Sequence, residues 1–297
     1  MTPYKTGNLF QIILELSKVR ITVAVALTTI TGYILASRSY NTGFIFPTLG
    51  IFFLACGSSV INHLQERNTD AIMSRTRLRP LPANAISPFL STVIAFVEVL
   101  AGSLILFYSA GLKSLSLGLL ALIWYNVVYT NLKKVTPNAV IPGSVIGSIP
   151  PLVGWVAAGG ELLNFQAMML ALFFFIWQVP HFYLLAIKYG HEYEEAGLPS
   201  LTTFYPLEKI KRNIFIWIVF TAFAAFIIAL SPLSCSFISS ISIMIFSLLL
   251  VYSFLPMLLE KRKQFDEGRY FMQINYFVVM VIIMLVAGPF LQSLYSR

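Results

Sequence analysis

Asn62, Glu66 and Asp70 follow one another at intervals of four residues, and Arg75 and Arg79 repeat that interval just downstream. On a helix, side chains four apart stack along one face, so the first three place an amide and two carboxylates in a single column. An all-oxygen column suits a hard divalent cation. Magnesium takes one or two carboxylates and fills the rest of its shell with water and substrate phosphate. The arginines that follow supply planar, bidentate donors for phosphate. The chemistry indicated is a metal–diphosphate clamp. Acid columns also occur on solvated helices, where they form internal salt bridges, so the spacing alone fits either.

Further along, residues 176–200 run from Trp177, Pro180 and His181 through Lys188 to Glu192, Glu194 and Glu195. Lys188 and Glu192 are four apart and can pair. Segments 62–87 and 188–212 together hold six of the 12 carboxylates. A third polar segment carries Lys133 and Lys134 close behind Tyr129. Arg75, Arg79, Lys133, Lys134 and Lys188 are the candidate diphosphate-binding cations. For the lysines, membrane topology alone would also account for their presence. His63 adjoins the column but lies about 100° round the helix from Asn62. Glu98 falls near the middle of an apolar run, where an ionisable residue must face the bundle or a cavity.

The elements that must position these groups span a membrane. Of 297 residues, 58% are hydrophobic and only 11% charged, with a mean hydropathy of +0.80. Apolar runs of about 20 residues, each long enough to cross roughly 30 Å of hydrocarbon as a helix, recur along the chain. Alternating polarity is absent, so a β-barrel is not indicated. Nine spans are read, at about 21–37, 44–62, 88–108, 112–131, 138–158, 165–187, 213–231, 237–258 and 271–292. The fold class is all-α and polytopic, a single membrane-embedded domain over 1–297. Residues 1–20 lack the apolar core and cleavage site of a signal peptide. Within them Leu9, Ile12, Ile13 and Leu16 recur at helical spacing, which predicts an amphipathic helix lying in the interface. Ser87–Pro88 reads as the cap and first turn of the third span. Pro150–Pro151 is expected to break or kink the fifth.

Loop charge sets the orientation. One alternating set of loops holds 17 of the 20 lysines and arginines; the other holds only Arg38, Lys113 and Arg297. Positive charge marks the cytoplasmic side. The N-terminus and both acidic loops are therefore expected inside and the C-terminus outside, in a cell (inner) membrane. The net charge of +8 is spread over five inter-span segments, which argues against a nucleic-acid partner and leaves the lipid bilayer as the general one. Cys56 and Cys235 share no metal-type spacing and read as structural.

Asn62-xxx-Glu66-xxx-Asp70 followed by "MSRTRLRPL" (73–81) resembles the first acidic motif of the UbiA superfamily of intramembrane prenyltransferases. "YTNLKKVTPNAVIPGSVIGSIPPLVGW" (129–155) and "WQVPHFYLLAIKYGHEYEEAGLPSL" (177–201) resemble its haem-farnesylating branch. The resemblance implies nine helices around a central cavity capped by the two polar loops. It also implies Mg2+-assisted loss of diphosphate from farnesyl diphosphate, with transfer to a vinyl group of haem B. It assigns Asn62, Glu66 and Asp70 to the metal and adds Glu192 to the catalytic set. Hand-over of product to other haem-biosynthesis or terminal-oxidase assembly proteins would follow. The superfamily's second Asp-xxx-Asp motif is incomplete: Ala196 stands four residues after Glu192, and Glu195 is the nearest stand-in. His181, in the sixth span, is the candidate haem ligand. Two other readings compete: prenylation of a quinone precursor or other aromatic or tetrapyrrole acceptor, and a transporter or haem-handling scaffold without catalysis. Transporters keep ionisable groups near the midplane, whereas these gather at one face.

Overall fold

The computed structural model describes residues 8–260 and 265–295. Lys5, Lys261, Arg262, Lys263 and Arg297, counted above for loop charge, lie outside the described residues. The chain is a helical bundle. A short helix α1 (Leu9–Leu16) leads into α2 (Val19–Ser37), α3 (Ile45–Asp70) and α4 (Pro88–Ile123). Then come α5 (Val145–Ala157), α6 (Phe165–Lys188) and the short α7 (Gly190–Glu195). α8 (Leu207–Leu230), α9 (Phe237–Leu259) and α10 (Glu267–Tyr295) complete it.

Among the described residues, eight helical stretches are long and apolar enough to cross a membrane, one of them running from Pro88 to Leu132. A straight helix of that length would measure about 67 Å, twice what a bilayer needs. It is folded back on itself at Gly111, whose φ of 75° and ψ of −177° are non-helical. Across this reversal a Cβ on Gly118 would fall 2.8 Å from the Leu106 side chain. The expected third and fourth spans are therefore antiparallel neighbours, and dividing this stretch at Gly111 gives nine apolar segments among the described residues. Ser87 caps α4 as its sequence predicts, its hydroxyl accepting from the Leu90 amide at 3.2 Å.

The proline pair does not break its helix. Pro150 and Pro151 lie inside α5, which continues through them. The interruption comes earlier, at Ser144, between a short helix Val140–Gly143 and α5. Packing explains the tolerance, because α5 is clamped against α2 over the very turn the prolines weaken. A Cβ on Gly32 would meet the Pro151 carbonyl oxygen at 1.9 Å, and one on Gly154 would meet that of Thr29 at 1.9 Å. Two helices approach this closely only where side chains are missing.

The apolar interior falls into zones. The largest joins α6, α8, α9 and α10 around Phe173, Phe174, Phe254 and Tyr270. A second packs α3, the α4 hairpin and α5 around Leu54, Leu106 and Val153. The third lies at the end where the acid column emerges: Ile12 and Leu16 of α1 meet Val60, Leu81, Ile86 and Ala95. Large apolar side chains such as Phe89 and Tyr108 face outward, as hydrocarbon surroundings permit.

Candidate active site

α3 carries its column to its last residue, and Asn62, Glu66 and Asp70 are all buried. Three cations reach the column from three separate segments. Lys18, between α1 and α2, donates from Nζ to Asn62 Oδ1 at 2.9 Å. Lys133, just past the helical stretch that ends at Leu132, pairs with Glu66. Arg79, in the 71–87 loop, donates from Nη1 to Asp70 Oδ2 at 2.8 Å. Asn62 also donates from Nδ2 to Thr130 Oγ1 at 3.3 Å, and Thr76 Oγ1 donates to the Asp70 carbonyl at 2.9 Å, folding the loop back over the helix end.

Lys18 adopts the left-handed conformation with φ 46° and ψ 48°. A residue with a Cβ pays roughly 1–2 kcal/mol for that region, so the surroundings must hold it there. Ser17 Oγ donates to Glu98 Oε1 at 2.8 Å, which ties this turn to α4. Burial, with Arg79 adding to it, pushes the Lys18 ammonium down to about 7. Lys18 is the functional candidate that sequence reading missed. It precedes a span, as topology lysines do, and nothing in its spacing links it to Asn62.

The two acidic loops meet at Arg75. Glu192 on α7 faces Arg75, with Oε2 3.7 Å from the Arg75 Nε, and the Arg75 guanidinium lies 4.2 Å from the Tyr189 ring centroid. Glu195 does not join them; its exposed side chain faces His191 at 3.4 Å. Glu194 accepts from the hydroxyls of Thr203 and Thr202, both at 2.8 Å, which holds its carboxyl below the usual range and fixes the turn ahead of α8. The structure thus brings together Asn62, Glu66, Asp70, Arg79 and Lys133, with Arg75 and Glu192 adjoining. It leaves Lys134 and Lys188 exposed and without an ion pair among the described residues. His63 is buried beside the column, and neither ring nitrogen has a hydrogen-bond partner among the described residues.

Aromatic faces lie directly beneath. The chain from Trp124 to Tyr129 is a π-helical turn, a local widening of the helix often found at functional sites. Tyr125 stacks on Tyr129 with centroids 5.8 Å apart, and Tyr129 on Phe182 at 5.9 Å. Lys133 sits 5.9 Å from the Tyr129 centroid. A cavity of about 110 Å³ opens among Tyr129, Lys133, Phe182, Tyr193 and Pro199. His181 lies one residue from Phe182 on α6, roughly 10 Å from the end of that helix at Lys188.

The donor set fits a hard dication. Two carboxylates and an amide oxygen stand at one-turn intervals, at the negative end of the α3 dipole. No group of three His, Cys, Asp or Glu side chains able to hold a metal occurs among the described residues. Such an ion would therefore be completed by water and substrate oxygens.

Fold and site define a membrane-embedded helical enzyme with an ionic headgroup site at one face and an aromatic slot below it. The chain belongs to the UbiA prenyltransferase family, whose model matches residues 25–291. It is 36% identical to "Protoheme IX farnesyltransferase" of Geobacter sulfurreducens over 64% of this chain and 70% of that protein. It is likewise 36% identical to "Protoheme IX farnesyltransferase 1" of Pseudomonas fluorescens over 74% and 72%. Among solved structures, a digeranylgeranylglyceryl phosphate synthase matches with a TM-score of 0.75 at 17% identity, covering 94% of this chain and 98% of that one. A UbiA homologue from Archaeoglobus fulgidus bound to GPP and Mg2+ matches at 0.67 and 16%, covering 95% and 99%. At these identities the structures establish the fold.

Proposed function

We propose that this prenyltransferase transfers the farnesyl group of farnesyl diphosphate to a vinyl group of haem B, giving haem O and diphosphate. The observation that carries the reading is the convergence of Lys18, Lys133 and Arg79 on the α3 acid column, directly above the Tyr125–Tyr129–Phe182 stack. The names and identities of the curated relatives support the choice of donor and acceptor.

The charges are suited to a diphosphate. Two carboxylates face Arg79, Lys133 and Lys18, and with Lys18 protonated one positive charge is in excess. A dication and a diphosphate ester trianion together bring the cluster to neutrality, and the ion pairs now joining protein groups would be exchanged for pairs with the ligand. Bound between Asn62, Glu66 and Asp70, magnesium would supply the charge that lets diphosphate leave. Arg79, Lys133 and Lys18 hold the phosphate oxygens, and Arg75 with Glu192 closes the second loop over them.

The allylic C–O bond breaks with its electrons going to diphosphate, and the faces of Tyr129 and Phe182 stabilise the carbocation left at farnesyl C1. The vinyl π pair forms the new C–C bond. Water adds to the resulting cation beside the tetrapyrrole and a proton departs, leaving a hydroxyethylfarnesyl side chain. His181 is the iron ligand that holds the acceptor. The N-terminus and both polar loops are cytoplasmic, the C-terminus is external, and the membrane is the cell's inner one.

The test is to incubate purified protein with haem B, Mg2+ and prenyl diphosphates of several lengths and to weigh the products. A mass gain of one farnesyl group and one water on haem is expected. Unchanged haem together with a prenylated quinone precursor would overturn the reading.

A further inference from the structure

α6 and α10 are joined inside the bundle by polar contacts that the ionic site does not use. Trp177 Nε1 donates to the Ile274 carbonyl at 3.2 Å. One turn on, His181 Nδ1 lies 3.1 Å from Asn275 Oδ1. Asn275 in turn donates from Nδ2 to the Phe271 carbonyl at 2.5 Å. Amide orientation is assigned from its surroundings, and here they leave one choice. A carbonyl only accepts, so the Asn275 group facing Phe271 must be the NH2. The amide oxygen then faces the imidazole, and an amide oxygen also only accepts. Nδ1 of His181 therefore carries the hydrogen.

A neutral imidazole has one N–H. With that hydrogen at Nδ1, the lone pair is at Nε2, and the one hydrogen bond the His181 ring makes among the described residues is at Nδ1. The ring is held between Trp177, with centroids 5.1 Å apart, Phe271 at 4.7 Å and Phe182 at 5.7 Å. Phe182 also ends the aromatic stack that leads from Lys133, so the histidine stands one ring away from the slot proposed for the prenyl group.

We infer that Asn275 is the positioning residue of the acceptor half of the site: it fixes His181 as the Nδ1–H tautomer and presents Nε2 as the ligand for haem iron. A partner on the distal nitrogen sets the tautomer, orientation and basicity of a ligating histidine. The ligand half of this inference rests on the haem reading above, whereas the tautomer half does not.

The chain has three histidines, His63, His181 and His191, so nitrogen-15 spectra of histidine-labelled protein are simple, and His181→Ala identifies the signals of interest. In the parent protein without haem, His181 is expected to show a protonated Nδ1 and an unprotonated Nε2. Asn275→Leu should move the hydrogen to Nε2, and Asn275→Asp, which keeps an acceptor, should leave it at Nδ1. An unchanged spectrum in Asn275→Leu, or a parent protein with its hydrogen on Nε2, overturns the positioning role.

With ferrous haem bound, the iron–histidine stretching frequency should fall in Asn275→Leu and rise in Asn275→Asp, and haem affinity in Asn275→Leu should drop about tenfold or more. The stretch should be lost in His181→Ala. If the tautomer follows Asn275 while the haem spectrum ignores both residues, the ligand assignment fails and the tautomer control stands.

Discussion

Asp70 is nearly sealed from solvent and ends the α3 column, paired there with the Arg79 guanidinium. Its carboxylate was legible in the sequence because a period of four on a helix translates directly into one face. Lys18 was not, because its contact with Asn62 depends on a left-handed turn and on Glu98 anchoring Ser17, neither of which a local pattern carries. Lys134 and Lys188 adjoin the motifs in sequence, but their side chains are exposed and outside the buried cluster. Two predictions belong at this scale. Asp70→Asn should lower the transfer rate by about 10²-fold or more, the usual cost of removing a main electrostatic contact, and should abolish the response to added Mg2+; rates measured across a magnesium titration decide. Lys18→Met removes a charge-assisted hydrogen bond worth roughly 1.5–3 kcal/mol. It should raise KM for farnesyl diphosphate about ten- to a hundredfold while leaving KM for haem unchanged.

At the scale of elements, hydropathy located the spans and the serine–proline cap located the start of α4. It could not foresee that Pro150 and Pro151 would remain helical, since that depends on α2 lying against them. The reversal at Gly111 is local and was legible as a gap between two apolar runs, yet the antiparallel pairing it creates is tertiary. The α2–α5 contact also positions the site, because α2 begins one residue after Lys18. A methyl group on Gly154 would lie 1.9 Å from the Thr29 carbonyl oxygen, and backbone cannot yield as a side-chain tip can. Gly154→Ala should therefore cost about 1–3 kcal/mol, as overpacking does, and lower the unfolding temperature of the detergent-solubilised protein. Leu163→Ala, in an exposed loop, should leave it where it was. Equal unfolding temperatures for the two variants would show that the contact is looser than described.

For the whole molecule, successive crossings place the loops alternately on two faces, and long-range contacts sort them independently of charge. On one face Asn138 Nδ2 donates to Tyr205 OH at 3.3 Å, Lys211 Nζ to the Glu260 carbonyl at 2.6 Å, and Arg75 meets Glu192. On the other, Arg38 contacts Cys235, and the Tyr40 hydroxyl accepts from the Phe290 amide at 3.2 Å. Among the described residues, the first face is the one that holds 13 of the 15 lysines and arginines, so the geometric sorting and the charge sorting agree although neither was derived from the other. By the positive-inside rule this supports the proposed cytoplasmic placement of the catalytic face, from which a water-soluble diphosphate product could leave directly. Two exposed residues test this, Val135 beside Lys133 and Leu163 between α5 and α6. In a background with Cys56→Ser and Cys235→Ser, a membrane-impermeant maleimide should label Leu163→Cys in intact cells and Val135→Cys only after permeabilisation. The reverse pattern would invert the protein in its membrane. Labelling of both from the same side would break the alternation of helices on which the bundle depends.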